Sequence, residues 1–161
     1  MEKIASFLVN HYTLDPGIYI SRVDTIADQK LITYDLRITK PNAEPVMNTA
    51  EIHTIEHLGA TFLRNHALKD QVIYFGPMGC RTGFYLLLKE LPDHHTVYQL
   101  IEETFAFIAK YEGEIPGATA RDCGNYSDQN LHMANYYARK YLQALHTLPD
   151  LSFQYREDET K

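Results

Sequence analysis

The sequence predicts an α+β fold, with a mainly antiparallel sheet packed against three main helices in a single domain. Three features predict it. Two runs rich in β-branched and aromatic residues open the chain. Three stretches of helical character follow position 48. Strands and helices do not alternate strictly, as a parallel sheet of βαβ units requires. The 161 residues suit one domain with a real core, and neither a linker nor a repeat divides them.

The strands come first. Gly17 to Ile26 and Lys30 to Thr39 are β-rich runs with partial alternation, and Ala27-Asp28-Gln29 is the expected hairpin connection. Pro41 to Pro45 interrupts regular structure. A helix follows, capped by Asn48 with Glu51 three residues on. Its Ile52, Ile55, Gly59, Phe62 and Leu63 fall on one face at core-packing spacing. Two further strands, Gln71 to Phe75 and Thr82 to Leu88, flank Gly76-Pro77-Met78-Gly79-Cys80-Arg81.

A second helix is expected over Thr96 to Glu112, started by Thr96 with Gln99 and stopped at Gly113. His94 and His95 beside Pro92 and Asp93 read as a solvated helix entry. An irregular segment from Glu114 to Asn125 leads to a last helix from about Asp128 to Thr147, which Pro149 ends. Residues 155–161 are expected to form a frayed tail.

Composition excludes several function classes. Net charge is −6 and the basic residues do not cluster, whereas a nucleic-acid binder needs a basic stripe. A small-molecule substrate is the expected partner. No apolar run approaches the roughly 20 residues of a membrane span, and the start resembles no secretory leader, so the chain reads as cytoplasmic. Its two cysteines, Cys80 and Cys123, are far apart in sequence. In a reducing compartment such a pair points to catalysis or metal binding rather than a disulfide.

The informative string is His53-Thr54-Ile55-Glu56-His57. Histidines at i and i+4 project from one helical face, so both imidazoles can reach a single ion. Glu56 falls between them and the apolar stripe, where a carboxylate is costly to bury unless it has a partner or a task. Catalytic zinc-type sites use three protein ligands and leave one position open. Cys123, in the irregular segment before Gly124, is the candidate third ligand, and a thiolate with two imidazoles suits Zn²⁺ or Fe²⁺. Cys80 lies in a tight, glycine-flanked turn, as a nucleophile, an acid–base group or a further ligand. The bland alternatives are surface histidines and two inert thiols.

Nearly the whole chain resembles the S-ribosylhomocysteine lyase (LuxS) family. The resemblance rests on Tyr34-Asp35-Leu36-Arg37 with Pro41-Asn42, on His53 to Leu58, on Arg64-Asn65-His66, on Pro77 to Tyr85, and on Cys123-Gly124-Asn125-Tyr126. It implies cleavage of the thioether of S-ribosylhomocysteine to homocysteine and 4,5-dihydroxy-2,3-pentanedione, the precursor of autoinducer-2. It also implies His53, His57 and Cys123 as metal ligands, with Fe²⁺ the usual ion and Zn²⁺ or Co²⁺ as alternatives. Cys80 and Glu56 match the acid–base residues, and Ser6, His11 and Arg37 match substrate-pocket positions. Family members are homodimers with active sites at the subunit interface, where Arg64 or its neighbours could reach the partner's site.

Three positions depart from the family pattern. Tyr74-Phe75-Gly76 stands where many members read Asp-Ile-Ser, Thr39 replaces a usual cysteine, and Asn10 replaces a common aspartate. Two rival readings remain at the level of sequence. The order H-x-x-E-H is also that of one class of metallopeptidases, although those use a distant glutamate and a larger chain. A non-catalytic module with a structural metal would need a fourth ligand, for which Cys80 is available.

Overall fold

The computed structural model describes residues 7–90 and 93–156. Strands β1 (Gly17–Ile26) and β2 (Gln29–Arg37) form a hairpin, and helix α1 (Thr49–Asn65) follows. Next come β3 (Val72–Pro77), β4 (Gly83–Lys89), α2 (His94–Ala109) and α3 (Leu131–Leu145). The four strands lie in the order β1-β2-β4-β3, and every neighbouring pair is antiparallel. Three helices on one antiparallel sheet is the α+β architecture expected from sequence.

Alternation divides the sheet into two faces. Tyr34 and Leu36 of β2 join Phe84, Leu86 and Leu88 of β4 in the core beneath the helices. Ile52, Ile55, Leu58 and Leu63 of α1 enter the same core, as do Leu100, Phe105 and Ile108 of α2 and Ala134, Ala138 and Tyr141 of α3. Asp35 and Arg37, alternating with the core residues of β2, leave from the opposite face. Both are almost fully buried, so they have found partners there.

Helix starts show where sequence and structure part. At α1 the expected cap holds: the Glu51 carboxylate accepts from the Asn48 N–H at 2.6 Å. At α2 the cap is Asp93, not Thr96, and its carboxylate accepts from the Thr96 N–H at 2.7 Å. The helix therefore begins at His94 and ends at Ala109, so Gly113 lies beyond the terminus it was expected to mark. Asp93 wins because its ionised side chain is a stronger acceptor than the Thr96 hydroxyl. The third helix starts at Leu131, capped by Asn130, which accepts from the Met133 N–H at 3.1 Å.

The C-terminal segment is tied to the sheet. The Phe153 carbonyl accepts from the Ile20 N–H at 2.7 Å, and the Phe153 ring is buried in the core. Tyr155, assigned from sequence to the tail, stacks on Tyr19 with ring centroids 4.7 Å apart. Its hydroxyl donates to Asp35 Oδ2 at 2.9 Å.

Candidate active site and metal centre

One turn of α1 separates His53 from His57, on the helix side away from the core stripe. Their Nε2 atoms stand 3.0 Å apart. The segment between α2 and α3 folds back over them. A turn in which the Cys123 N–H donates to the Thr119 carbonyl at 2.9 Å presents the thiol, with Sγ 3.4 Å from His53 Nε2. The ligating atoms of His53, His57 and Cys123 all lie within 4.8 Å of one another, and the described residues contain no other group of three or more His, Cys, Asp or Glu with this property. Cys80 is outside the group.

Backbone carbonyls fix the imidazoles. His57 Nδ1 is 2.7 Å from the Pro116 carbonyl and His53 Nδ1 is 3.0 Å from the Asp128 carbonyl. A carbonyl only accepts, so each Nδ1 that makes this bond carries the proton and each Nε2 keeps its lone pair. Two such lone pairs at 3.0 Å repel unless a cation is between them. The Asn125 N–H lies 3.4 Å from Cys123 Sγ beside them. The donor set therefore fits a divalent metal. Gly117, at φ +70°, turns the chain directly after Pro116, where a side chain would be strained. Glu56 borders the triad, with Oε2 3.9 Å from His57 Nε2.

A second cluster lies at the other face of the sheet. His11, Ser21, Asp35, Arg37, Cys80 and Tyr85, closed by Tyr155, line a cavity of about 320 Å³. The Arg37 guanidinium organises it. Nη2 donates to Asp35 Oδ2 and Nη1 to Thr82 Oγ1, each at 2.5 Å. Nη1 also lies 3.8 Å from Cys80 Sγ, and Thr82 Oγ1 is 3.1 Å from that sulfur. Partial burial pushes the Cys80 thiol up, but hydrogen bonds from the Thr82 side chain and backbone, with the Arg37 charge, outweigh it and leave the thiol below its ordinary value. Burial likewise pushes the Asp35 carboxyl up, against the pull of Arg37 and Tyr155.

The structure thus brings His53, His57 and Cys123 together with Glu56 at their edge, and His11, Arg37 and Cys80 together in the cavity. Ser6 lies outside the described residues. Arg64 is engaged within the chain, donating to the Val72 and Ile73 carbonyls at 3.1 and 3.0 Å. Asp35, Thr82 and Tyr155 were not singled out from sequence. Asp35 stands two residues from Arg37 on β2, the same-face spacing of a strand, and Thr82 follows Cys80 by two residues in the turn before β4, whereas nothing local announces Tyr155. The Tyr74 and Gly76 departures go together: a Cβ on Gly76 would meet the Tyr74 hydroxyl at 2.0 Å.

The fold and these side chains define a class, a small α+β enzyme with a three-residue candidate metal centre and a distinct thiol pocket built on the Asp35–Arg37 ion pair. The family described as S-ribosylhomocysteinase (LuxS) matches residues 4–150. The chain belongs to that family. It is 59% identical to the S-ribosylhomocysteine lyase of Finegoldia magna over 157 residues, which is 98% of this chain and 100% of that protein. It is 56% identical over 158 residues to the protein of the same name from Clostridium acetobutylicum, again covering 98% of this chain and 100% of the relative. The counterpart from Borreliella burgdorferi is 46% identical over 156 residues, 96% of this chain and 99% of its own length.

Proposed function

We propose that this chain cleaves S-ribosylhomocysteine to homocysteine and 4,5-dihydroxy-2,3-pentanedione through two carbonyl shifts and a β-elimination. Family membership supports the reaction. The observation that carries the mechanism is the pair of facing Nε2 atoms beside Cys123. A divalent ion held there, Fe²⁺ or in its place Zn²⁺ or Co²⁺, supplies the Lewis acidity that polarises a sugar carbonyl.

The chain's own residues then move protons. An unactivated C–S bond breaks only when the sulfur is β to a carbonyl, so the carbonyl must travel from C1 to C2 to C3. Each shift removes a proton from one carbon and returns one to its neighbour. The Cys80 thiolate, favoured by Arg37 and Thr82, is suited to the early transfers. Glu56, at the edge of the triad, is suited to the later shift and to removing the C4 proton, after which the sulfur leaves C5 with the bonding pair. His11 and Arg37 bind the substrate on the Cys80 side, and Ser6 is a further substrate-binding residue.

The enzyme works as a cytoplasmic homodimer with its active sites at the subunit interface. Two features support this arrangement. The cavity that contains Cys80 shares no lining residue with the metal triad, and it opens on the sheet face that the helices do not cover. One substrate meets both clusters if the thiol pocket of one subunit faces the triad of the other. The product links the enzyme to autoinducer-2 and quorum sensing, and homocysteine release links it to the methyl cycle.

The test is free-thiol release. Protein purified anaerobically with Fe²⁺ is expected to release thiol from S-ribosylhomocysteine, and a chelator to abolish the release. No release from folded, metal-loaded protein would overturn this reading.

A further inference from the structure

Gln129 joins the candidate metal centre to the interior of the protein. Its side chain lies between His53 and Thr54, with Nε2 3.2 Å from His53 Nδ1 and Oε1 2.7 Å from Thr54 Oγ1. Thr54 is fully buried. Its hydroxyl also lies 3.0 Å from the Ala50 carbonyl and accepts from the Asn130 N–H at 2.9 Å.

The proton count at the two ends of Gln129 is inconsistent with metal binding in this amide orientation. A hydroxyl has one proton, yet Thr54 faces two acceptors, the Ala50 carbonyl and Gln129 Oε1. At the other end, His53 Nδ1 faces the Asp128 carbonyl at 3.0 Å, a bond that needs the proton on Nδ1. The Gln129 NH₂ then sets a donor against a donor. If His53 Nδ1 instead accepts from Gln129, the ring proton of neutral His53 moves to Nε2. There it faces His57 Nε2 at 3.0 Å and Cys123 Sγ at 3.4 Å and blocks ligation.

A half-turn of the carboxamide exchanges its oxygen and nitrogen in the same volume and removes both conflicts. Oε1 then accepts from His53 Nδ1–H beside the Asp128 carbonyl. Nε2 donates to Thr54 Oγ1, and the Thr54 proton is free for the Ala50 carbonyl. The conflicts at His53 and Thr54 are both relieved, and His53 keeps its Nε2 lone pair for the ion. We propose that Gln129 is the positioning residue of the metal centre, holding His53 in the ligating tautomer through its side-chain oxygen and anchored in turn by Thr54. The proposal rests on the reading of His53, His57 and Cys123 as metal ligands. Partners of this kind orient a ligating imidazole and raise its basicity, and their loss typically weakens metal affinity about 10- to 100-fold.

Two substitutions test it, read by chelator competition for Zn²⁺ or Co²⁺ and by the visible spectrum of the Co²⁺ protein, neither of which requires turnover. Gln129→Leu removes the acceptor and is expected to weaken binding about 10- to 100-fold and alter the Co²⁺ spectrum. Gln129→Glu keeps an acceptor for His53 but no longer donates to Thr54, so it is expected to bind metal more tightly than Gln129→Leu. Melting of the metal-free variants, followed by circular dichroism, identifies a folding defect; if Gln129→Leu fails to fold, Gln129→Met, of similar length and without a strong acceptor, takes its place. Unchanged affinity in a folded Gln129→Leu or Gln129→Met, or affinity in Gln129→Glu no better than in either, overturns the proposal while the metal reading stands. Absence of binding by the unsubstituted protein overturns the metal reading itself, and the proposal with it.

Discussion

His53 and His57 hold their Nε2 atoms 3.0 Å apart, with Cys123 Sγ 3.4 Å from the nearer one. Nitrogen ligands 2.0–2.1 Å from a tetrahedral ion stand roughly 3.3 Å apart, so the pair needs only a small adjustment to close on a metal. The candidate third ligand, Cys123, comes from the loop before α3, and removing it would leave only the two imidazoles. Cys123→Ala is therefore expected to lose both metal and turnover, whereas Cys80→Ala keeps the metal and loses turnover. Metal content after gel filtration separates them. Metal lost from the Cys80 variant would place that thiol in the coordination sphere and remove its acid–base role.

The second prediction concerns protonation. The Cys80 thiol is held below its ordinary value by Thr82 and Arg37 against the opposing effect of burial. Its thiolate therefore forms at lower pH than that of a free cysteine, which titrates near about 8.5. A depressed pKa means that the anion persists above the shifted value and is lost as pH falls through it, and thiolate-dependent activity is lost with it. Thr82→Val deletes the hydroxyl beside Sγ while nearly preserving shape, so the midpoint should move up. Iodoacetamide alkylation of Cys80 followed against pH gives both midpoints. An unmoved midpoint in Thr82→Val would remove Thr82 from the account.

How much of this was legible in sequence depends on chain separation. The His53-x-x-x-His57 pair sits within one helix, where i and i+4 share a face, so its convergence could be read directly. β1 and β2 were equally readable, because β-branched residues and a short turn are local signals. The α2 start was misplaced because Asp93 competed with Thr96 for the same helix terminus, and a pattern does not say which acceptor the backbone will face. The Asp35–Tyr155 hydrogen bond spans 120 residues and the His53–Gln129 contact spans 76. Neither leaves a periodic trace. Asp35 entered the sequence reading only as part of the Tyr34-Asp35-Leu36-Arg37 run, and only the folded sheet shows it buried.

Two glycines predict unequal responses to the same added methyl group. Alanine in place of a helical glycine gains about 1 kcal/mol of helix propensity, which would favour Gly59→Ala. There the new Cβ meets Phe75 Cε1 at 2.4 Å, and the ring or the helix must move. Overpacking of this kind costs about 1–3 kcal/mol, so the net change is a modest destabilisation. At Gly83 the obstacle is the Leu36 carbonyl oxygen, at 2.2 Å, part of the paired β2 backbone, which has no rotamer to yield. Gly83→Ala should be the worse by a clear margin, and urea unfolding of both variants ranks them. Equal stability of the two would mean that the sheet gives as readily as a side chain.

The last prediction tests the ion pair behind Cys80. Asp35 and Arg37 meet at 2.5 Å with side chains 3% and 4% exposed, and each keeps one buried polar atom, Asp35 Oδ1 and Arg37 Nε, without a hydrogen-bond partner. Removing one member of such a pair strands a buried charge and costs about 3–5 kcal/mol, whereas replacing both with apolar residues is often close to neutral. Arg37→Met should therefore destabilise strongly, and Asp35→Leu with Arg37→Met should recover much of the loss. The same double variant should leave the Cys80 thiol higher than in the unsubstituted protein, because the guanidinium that favours its anion is gone. Urea denaturation and Cys80 alkylation rates measured on the same samples separate the two effects. Recovered stability with a raised thiol would show that this pair is retained to poise the sulfur and not to hold the fold. A double variant as unstable as Arg37→Met alone would show instead that the guanidinium's bonds to Thr82 and its packing against the sheet hold the fold, whatever the charge of Asp35.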